Sequence, residues 1–128
     1  MGLLLDTHTY LWFVDADPRL SATAADRIGD PDERVLVSVV SAWEIIIKLT
    51  TGKLVLNRSF EELWRESIAT NEFEVLNVTT DHVLALSPLP LYHRDPFDRL
   101  LLAQAIAENH RIVSVDTAFD KYPVDRIW

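Results

Sequence analysis

The chain contains no cysteine among its 128 residues, which excludes both a disulfide framework and a thiolate metal site. Any metal ion would need carboxylates, histidines, hydroxyls or water as its ligands. Only three glycines are present, and the sequence contains neither a phosphate-binding loop nor a dinucleotide-binding fingerprint. It also lacks the Gly-x-Ser-x-Gly turn that marks many serine hydrolases, so nothing in the sequence supports serine catalysis.

Basic residues are in the minority, with 12 Lys and Arg against 20 Asp and Glu and a formal net charge of −8. This balance argues against passive binding of nucleic acid through a basic face. It is compatible with an acidic site that acts on a phosphodiester through a bound cation. No apolar run approaches the ~20 residues of a membrane span. The chain also begins without the basic leader and apolar segment of a signal peptide, so we expect a cytoplasmic protein with no membrane contact.

Strand-like and helix-like segments alternate along the sequence, which predicts an α/β fold with a parallel sheet covered on both faces. We expect one domain over residues 1–128. The predicted strands are Gly2–Leu5, Val35–Val39, Glu74–Val78, Ile112–Val115 and, as a candidate fifth, Arg126–Trp128. The predicted helices are Thr7–Val14, Ser21–Ile28, Ser41–Thr51, Ser59–Thr70, Thr80–Leu86 and Pro96–Glu108.

One pattern occurs twice: a short apolar strand ends at an aspartate followed by a threonine. The pairs are Asp6-Thr7 after the first predicted strand and Asp116-Thr117 after the fourth. A doubly wound order with these strands as neighbours would place both aspartates at the switch point of the sheet, where ligands bind. Because like charges in one cleft repel, a divalent cation is the expected counterion.

Two further acids, Glu44 and Asp98, lie near the starts of predicted helices. Each has a structural alternative, because Ser41-x-x-Glu44 reads as a capping box and Glu44 can pair with Lys48 one turn later. Asp98 could stabilise its helix dipole, and the two strand-end aspartates could each cap a helix. For Glu44 taken alone the structural role is the better interpretation. The four acids together favour a metal site.

Several polar side chains near these acids are candidate supporting residues. The hydroxyls of Thr7, Ser41 and Thr117 could orient carboxylates or bound water. Helix capping is the alternative, and it is the preferred interpretation for Ser41. Asp120, one turn after Asp116, could contact the metal or lie in solvent.

The four histidines do not show the spacing of a zinc site. His8 follows Asp6 closely, and His93 stands at the mouth of the long late helix. His82 and His110 are predicted to lie at the surface.

The motifs carrying these residues resemble the PIN-domain family and, more narrowly, the VapC-type toxins of bacterial toxin–antitoxin pairs. The matching segments are Leu3–His8, Ser41–Ile45, His93–Arg99, and Val115-Asp116 with Phe119. They cover nearly the whole chain in the family's order. The resemblance implies a three-layer α/β/α sandwich around a central parallel sheet and cleavage of RNA that depends on Mg²⁺ or Mn²⁺. Its catalytic acids carry over to Asp6, Glu44, Asp98 and Asp116.

In the mechanism that the resemblance implies, Asp6, Asp98 and Asp116 hold one ion, and Glu44 ligates a second ion or orients the attacking water. The products would carry a 5′-phosphate and a 3′-hydroxyl. The segment His93–Arg99 is called the late block below. Its residues His93, Arg94 and Arg99 would contact the substrate. A surface ion pair is the alternative for either arginine.

The resemblance also implies partners, namely the RNA substrate, a cognate VapB-type antitoxin and a second subunit in a homodimer. The spacing of four residues on one helix predicts a face turned to the core: Trp43, Ile46, Ile47 and Thr50. The adjoining surface around Leu63 and Trp64 is the candidate docking site for the antitoxin or the second subunit.

Two other functions can be weighed against the nuclease. Asp6 and the pair Asp116 and Asp120 faintly resemble the motifs of haloacid dehalogenase-type phosphatases, but His8 stands where the second aspartate of their opening motif belongs. A non-enzymatic receiver-like signalling domain would need an acidic pair after the first strand and a late lysine. The only late lysine is Lys121.

Overall fold

The computed structural model describes residues 1–128, which form one five-stranded parallel sheet and six α-helices. The strands are β1 (Leu3–Leu5), β2 (Val35–Ser38), β3 (Glu74–Leu76), β4 (Arg111–Val113) and β5 (Arg126–Ile127). The helices are α1 (Thr7–Val14), α2 (Ala22–Ile28), α3 (Val39–Thr50), α4 (Phe60–Asn71), α5 (Thr80–Leu84) and α6 (Pro96–Glu108), with a 3₁₀ helix at Thr117–Lys121. None of the helices combines the length and the apolar character that a bilayer crossing demands.

The strands lie in the order β3-β2-β1-β4-β5, and every neighbouring pair is parallel. β1 is therefore central, with Leu5 opposite Val37 of β2 on one side and Val113 of β4 on the other. The winding reverses between β1 and β4, which is the doubly wound order predicted from the sequence. The carboxyl ends of these two strands meet at the switch point.

Side chains of β1 alternate between two buried layers. Leu5 packs in a cluster with Tyr10 of α1 and Ile45 of α3, whereas Leu4 packs on the other side with Leu101 of α6. All five of these residues are fully buried. Because helices cover both faces of the sheet, the predicted α/β/α sandwich is confirmed.

Of the element boundaries that differ from the prediction, two lie beside the switch point. β2 ends at Ser38, whose Oγ accepts the N–H of Val40 at 3.0 Å, so α3 begins before Ser41. β4 ends at Val113, and the N–H of Asp116 donates to Oγ of Ser114 at 3.0 Å. The chain has thus left the sheet before it reaches Asp116.

The predicted core face of α3 is wrong. Trp43 and Ile46 are 55% and 51% exposed, while Glu44 and Ile45 are buried. The helix begins at the carboxyl edge of the sheet, and the side that carries the polar Glu44 faces α1. Trp43 instead meets Phe97 of α6 edge to face, with ring centroids 4.9 Å apart.

The prediction that His82 and His110 lie at the surface is also wrong, because both are buried. Each ring accepts a backbone hydrogen bond at Nδ1, from the N–H of Thr79 to His82 at 3.0 Å and from the N–H of Gly2 to His110 at 2.9 Å. Nε2 of His82 also contacts the carboxylate of Glu108, whereas Nε2 of His110 is buried without a hydrogen-bond partner.

Candidate metal site

Asp6 and Asp116 both cap the helix that follows them, in the same way. Oδ1 of Asp6 accepts the N–H of Thr9 at 2.9 Å, and Oδ1 of Asp116 accepts the N–H of Ala118 at 2.9 Å. The backbone N–H of Asp6 donates to the carbonyl of Val113 at 3.2 Å, which ties the end of β1 to the end of β4. Capping therefore fixes one oxygen of each carboxylate and leaves Oδ2 available for other partners.

Glu44 is buried beside α1 and does not take part in a capping box, because α3 begins five residues earlier. Its Oε1 lies 2.7 Å from the hydroxyl of Thr7, which is also 3.0 Å from Oγ of Ser41. Its Oε2 pairs with Nζ of Lys48 at 2.7 Å, as the spacing predicted. The preferred interpretation of Ser41 as a cap is wrong, because Ser38 caps α3 and Ser41 lies inside the helix beside Thr7.

Asp98 lies in the first turn of α6, where its N–H donates to Oδ1 of Asp95, the predicted cap residue, at 3.2 Å. Burial raises the pKa of Asp98 to about 7, and the negative charges of Asp95, Asp6, Glu44 and Asp116 add to this effect. No hydrogen bond or positive charge opposes the rise. The fold thus places the other three acids singled out from the sequence near enough to act on the carboxyl of Asp98.

His93 is joined to Asp116 rather than pointing to solvent. Its Nε2 lies 2.9 Å from Oδ2 of Asp116, and the residue is 7% exposed. Burial disfavours ionisation of Asp116, but the hydrogen bonds from Ala118 and His93 outweigh it. The pKa of Asp116 consequently lies below its ordinary value. Asp116 and Asp98 are therefore shifted in opposite directions.

The donor atoms of His93, Asp98 and Asp116 lie within 4.8 Å of one another. Asp6 and Glu44 are outside this group and act on Asp98 through their charges. Carboxylate oxygens are the ligands that Mg²⁺ and Mn²⁺ prefer. The clustered acids, with one carboxyl held partly protonated by the others, fit a hard divalent cation.

The two arginines of the late block have different surroundings. Arg94 is exposed and forms no ion pair or side-chain hydrogen bond. Arg99 donates from Nη1 to the carbonyl of Pro90 at 2.9 Å and from Nη2 to the carbonyl of Leu89 at 3.3 Å. Its guanidinium therefore holds the loop before α6 and forms no ion pair, and its contact with the substrate stays a prediction.

Two of the candidate supporting residues form no side-chain hydrogen bond with the acids. Thr117 is exposed. Asp120 forms a two-point ion pair with Arg126, at 3.0 Å to Nε and 3.1 Å to Nη2. The sequence predicted either a metal contact or a position in solvent for Asp120, and this ion pair at the surface favours the second.

Sequence reasoning missed Tyr122 and the true partner of His93. The hydroxyl of Tyr122 accepts the N–H of His93 at 2.9 Å and donates to the carbonyl of Pro90 at 3.1 Å. The contact spans 29 positions of sequence, and no local pattern signals it. His93 itself, at the start of the late block, was the only available hint, and the sequence assigned it to substrate binding.

Comparison with solved structures shows the same fold in several toxin–antitoxin complexes. A chain of VapBC2 from Rickettsia felis bound to a promoter DNA fragment is similar with a TM-score of 0.72 and 14% identity, covering 98% of this chain and 97% of that one. For FitAcB from Neisseria gonorrhoeae the TM-score is 0.71 and the identity 18%, with coverage of 97% and 95%. For DNA-bound VapBC from Salmonella typhimurium the TM-score is 0.66 and the identity 16%, with coverage of 98% of this chain and 96% of that one.

At these identities the structural likeness establishes the fold. A search of curated proteins finds no matching relative. The family comparison is more decisive, because the model of the PIN domain matches residues 3–125 and so includes all four acids at the switch point. The chain belongs to the PIN-domain family.

Proposed function

We propose that this protein is a divalent-metal-dependent endoribonuclease and the toxin of a toxin–antitoxin pair. The observation that carries the proposal is the position of Asp98, whose pKa is raised to about 7 by burial and by four neighbouring acids. A structural role gives no reason to gather so much negative charge. In a PIN domain, an acidic cluster at the carboxyl edge of the sheet supports phosphodiester hydrolysis.

Asp6, Asp98 and Asp116 would hold Mg²⁺ or Mn²⁺. Such an ion supplies a bound water of lowered pKa and polarises the phosphate. Asp6 and Asp116 enter the site with one oxygen already fixed by a helix N–H, so little freedom is lost when the second oxygen takes a ligand. Asp98 has no such partner, and it would change most on binding, by losing its proton.

Glu44 would orient the attacking water or complete the ligand set. Its two oxygens are each engaged, by Thr7 and by Lys48, which holds the carboxylate in one orientation. Lys48 also offsets one of the negative charges of the site. Arg94, exposed and without an intramolecular partner, is the residue we assign to an RNA phosphate.

The antitoxin would dock on an apolar groove between α3 and α4. The groove encloses about 470 Å³ and is lined by six residues: Ala42, Ile46, Phe60, Glu61, Trp64 and Arg65. Two of the similar structures are VapBC complexes, which supports a VapB-type partner. A homodimer stays a prediction from the family resemblance, and a cytoplasmic location stays a prediction from the sequence. Family membership leaves the phosphatase and the receiver-like domain without support.

The test compares Asp98→Asn with Asp120→Asn, a matched control whose carboxylate binds Arg126 outside the site. RNA cleavage is measured with Mg²⁺, with Mn²⁺ and with EDTA, and the product ends are identified. We expect the wild type and Asp120→Asn to cleave RNA only when metal is present and to release 5′-phosphate products. We expect no cleavage by Asp98→Asn. Full cleavage in EDTA, or an active Asp98→Asn, would refute the proposal.

A further inference from the structure

We propose that His93 is a positioning residue: its Nε2–H donates to Oδ2 of Asp116 and holds that carboxylate at the site, and the imidazole is not itself a metal ligand. This inference rests on the proposed metal site. It gives His93 a role different from the substrate contact that the sequence predicted.

The imidazole has little freedom to move. Phe119 lies on one side, with ring centroids 4.5 Å apart, and Tyr122 stacks on it with centroids 5.6 Å apart and an angle of 22° between the planes. The side chain is 6% exposed. A donor held this tightly fixes the direction of the carboxylate oxygen that it contacts.

The surroundings of the other ring nitrogen decide the tautomer. Nδ1 of His93 is buried and has no hydrogen-bond partner. A proton on Nδ1 would create a buried donor without an acceptor and would turn the lone pair of Nε2 toward the carboxylate of Asp116. A proton on Nε2 leaves only an unpaired acceptor, and unpaired buried donors are the rarer of the two defects. The ring therefore carries its proton on Nε2.

The same observation argues against ligation. Nε2 is within 4.8 Å of oxygens of Asp98 and Asp116, so distance alone would allow His93 to share a metal ion with them. Ligation through Nε2 would move the proton to Nδ1, and a metal-bound histidine almost always donates that second N–H to an acceptor. Here no acceptor is available, because Nδ1 is buried and has no hydrogen-bond partner.

The backbone of His93 is anchored as firmly as its ring. Its N–H donates to the hydroxyl of Tyr122, which in turn donates to the carbonyl of Pro90, and Arg99 holds the same carbonyl and that of Leu89. The loop, the imidazole and Asp116 therefore form one connected support. It links the loop that leads into α6, the helix that bears Asp98, to the segment after β4 that bears Asp116.

The first experiment reads the tautomer by long-range ¹H–¹⁵N NMR of the histidine rings, in metal-free protein and with Mg²⁺ added. His82 is an internal reference, because its Nδ1 accepts the N–H of Thr79, its Nε2 contacts the carboxylate of Glu108, and Nε2 must carry the proton when the ring is neutral. We expect His93 to show the Nε2–H pattern in both states. An Nδ1–H pattern, or transfer of the proton to Nδ1 on adding Mg²⁺, would overturn the proposal.

The second experiment compares His93→Gln with His93→Leu by calorimetric titration with Mn²⁺ in the absence of RNA. Gln can place an N–H where Nε2 lies, whereas Leu fills space without a donor. Loss of an outer partner weakens metal binding by roughly 10–100-fold, so we expect that loss in His93→Leu and recovery of most of it in His93→Gln. Unfolding curves in EDTA verify that both variants fold.

Two negative results have different meanings. If the wild type binds Mn²⁺ and His93→Leu binds it equally tightly, the positioning role is refuted while the proposed nuclease stands. If the wild type binds no divalent ion, the proposed function fails, and the tautomer in metal-free protein still decides whether Nε2 donates to Asp116. An Nδ1–H pattern there would refute the positioning role independently.

Discussion

The hydroxyl of Thr7 lies 2.7 Å from Oε1 of Glu44 and joins the first turn of α1 to α3 across 37 positions of sequence. A hydroxyl has one proton to donate, and the carboxylate is both the closer and the stronger acceptor than Oγ of Ser41. The other oxygen of Glu44 pairs with Lys48 at 2.7 Å. The orientation of Glu44 therefore depends on two named contacts, and each can be removed separately.

Thr7→Val keeps the shape of the side chain and removes the donor. A hydrogen bond to a charged group contributes about 1.5–3 kcal/mol, so a misoriented Glu44 should lower kcat for RNA cleavage by roughly 10–100-fold. Steady-state kinetics on one RNA substrate measure the change. The control is Ser41→Ala, which leaves the hydroxyl of Thr7 free to donate to Glu44. Equal kcat in Thr7→Val and wild type would show that Glu44 needs no such contact.

Asp6→Asn and Asp116→Asn should each abolish metal-dependent cleavage while the protein stays folded. The amide oxygen of Asn can accept the N–H of Thr9 or Ala118, and Asn ranks with Asp as a helix cap, but it removes the negative charge. Alanine at either position should cost about 1 kcal/mol more in stability, because the cap is lost too. Cleavage assays combined with urea unfolding separate the two effects. Substantial cleavage by either Asn variant would remove that aspartate from the proposed site.

The stability of the metal-free protein should depend on pH through Asp98. Its pKa is raised from 3.8 to about 7 on folding, so the folded state binds the proton more tightly than the unfolded chain. The contribution of Asp98 to stability is greatest below pH 3.8, and it falls as pH rises toward 7. Asp98→Asn should therefore stabilise the metal-free protein at pH 8 by on the order of 2 kcal/mol, after discounting for solvent exposure.

Urea unfolding in EDTA at pH 4 and pH 8 measures this difference. The gain from Asp98→Asn should be large at pH 8 and small at pH 4, where the wild-type carboxyl is protonated in the fold. Asp120→Asn is the control, because its carboxylate binds Arg126 outside the acidic cluster. A gain that does not change with pH would mean that neither burial nor the neighbouring acids raise the pKa of Asp98.

Gly2→Ala should destabilise the fold and leave the site intact. A methyl group at this position would lie 2.9 Å from the carbonyl of Arg34 and would collide with the side chain of Leu36. Overpacking of this kind costs roughly 1–3 kcal/mol, and we expect a loss of stability of that size. Thermal unfolding measures the loss. Because Gly2 lies at the opposite end of β1 from Asp6, kcat below the melting range should match the wild type, and an unchanged melting temperature would contradict the prediction.

The sequence allowed prediction of the features that depend on local rules. The caps at Ser21, Ser59 and Asp95 are where side-chain chemistry predicts them. The neighbouring positions of β1 and β4 follow from the alternation of strands and helices, and this placed Asp6 and Asp116 together. Exact strand ends were less predictable, because β4 stops before Asp116 for reasons of tertiary packing.

Features decided by long-range contacts could not be predicted. Ser38 and Ser41 are both suitable caps for α3, and only the burial of Ser41 against Thr7 shows that the helix begins earlier. His110 is buried because the N–H of Gly2, 108 positions away, donates to it. His93 similarly depends on Asp116. No periodic pattern in the sequence predicts these partners.

The helix caps at the switch point also have a genetic consequence. An aspartate codon becomes an asparagine codon by one base substitution, and at Asp6 or Asp116 that change would preserve the cap. A population harmed by the proposed nuclease would thus have short mutational routes to an inactive protein that still folds. Such a protein would keep the groove between α3 and α4, and it could still bind antitoxin after its activity was lost.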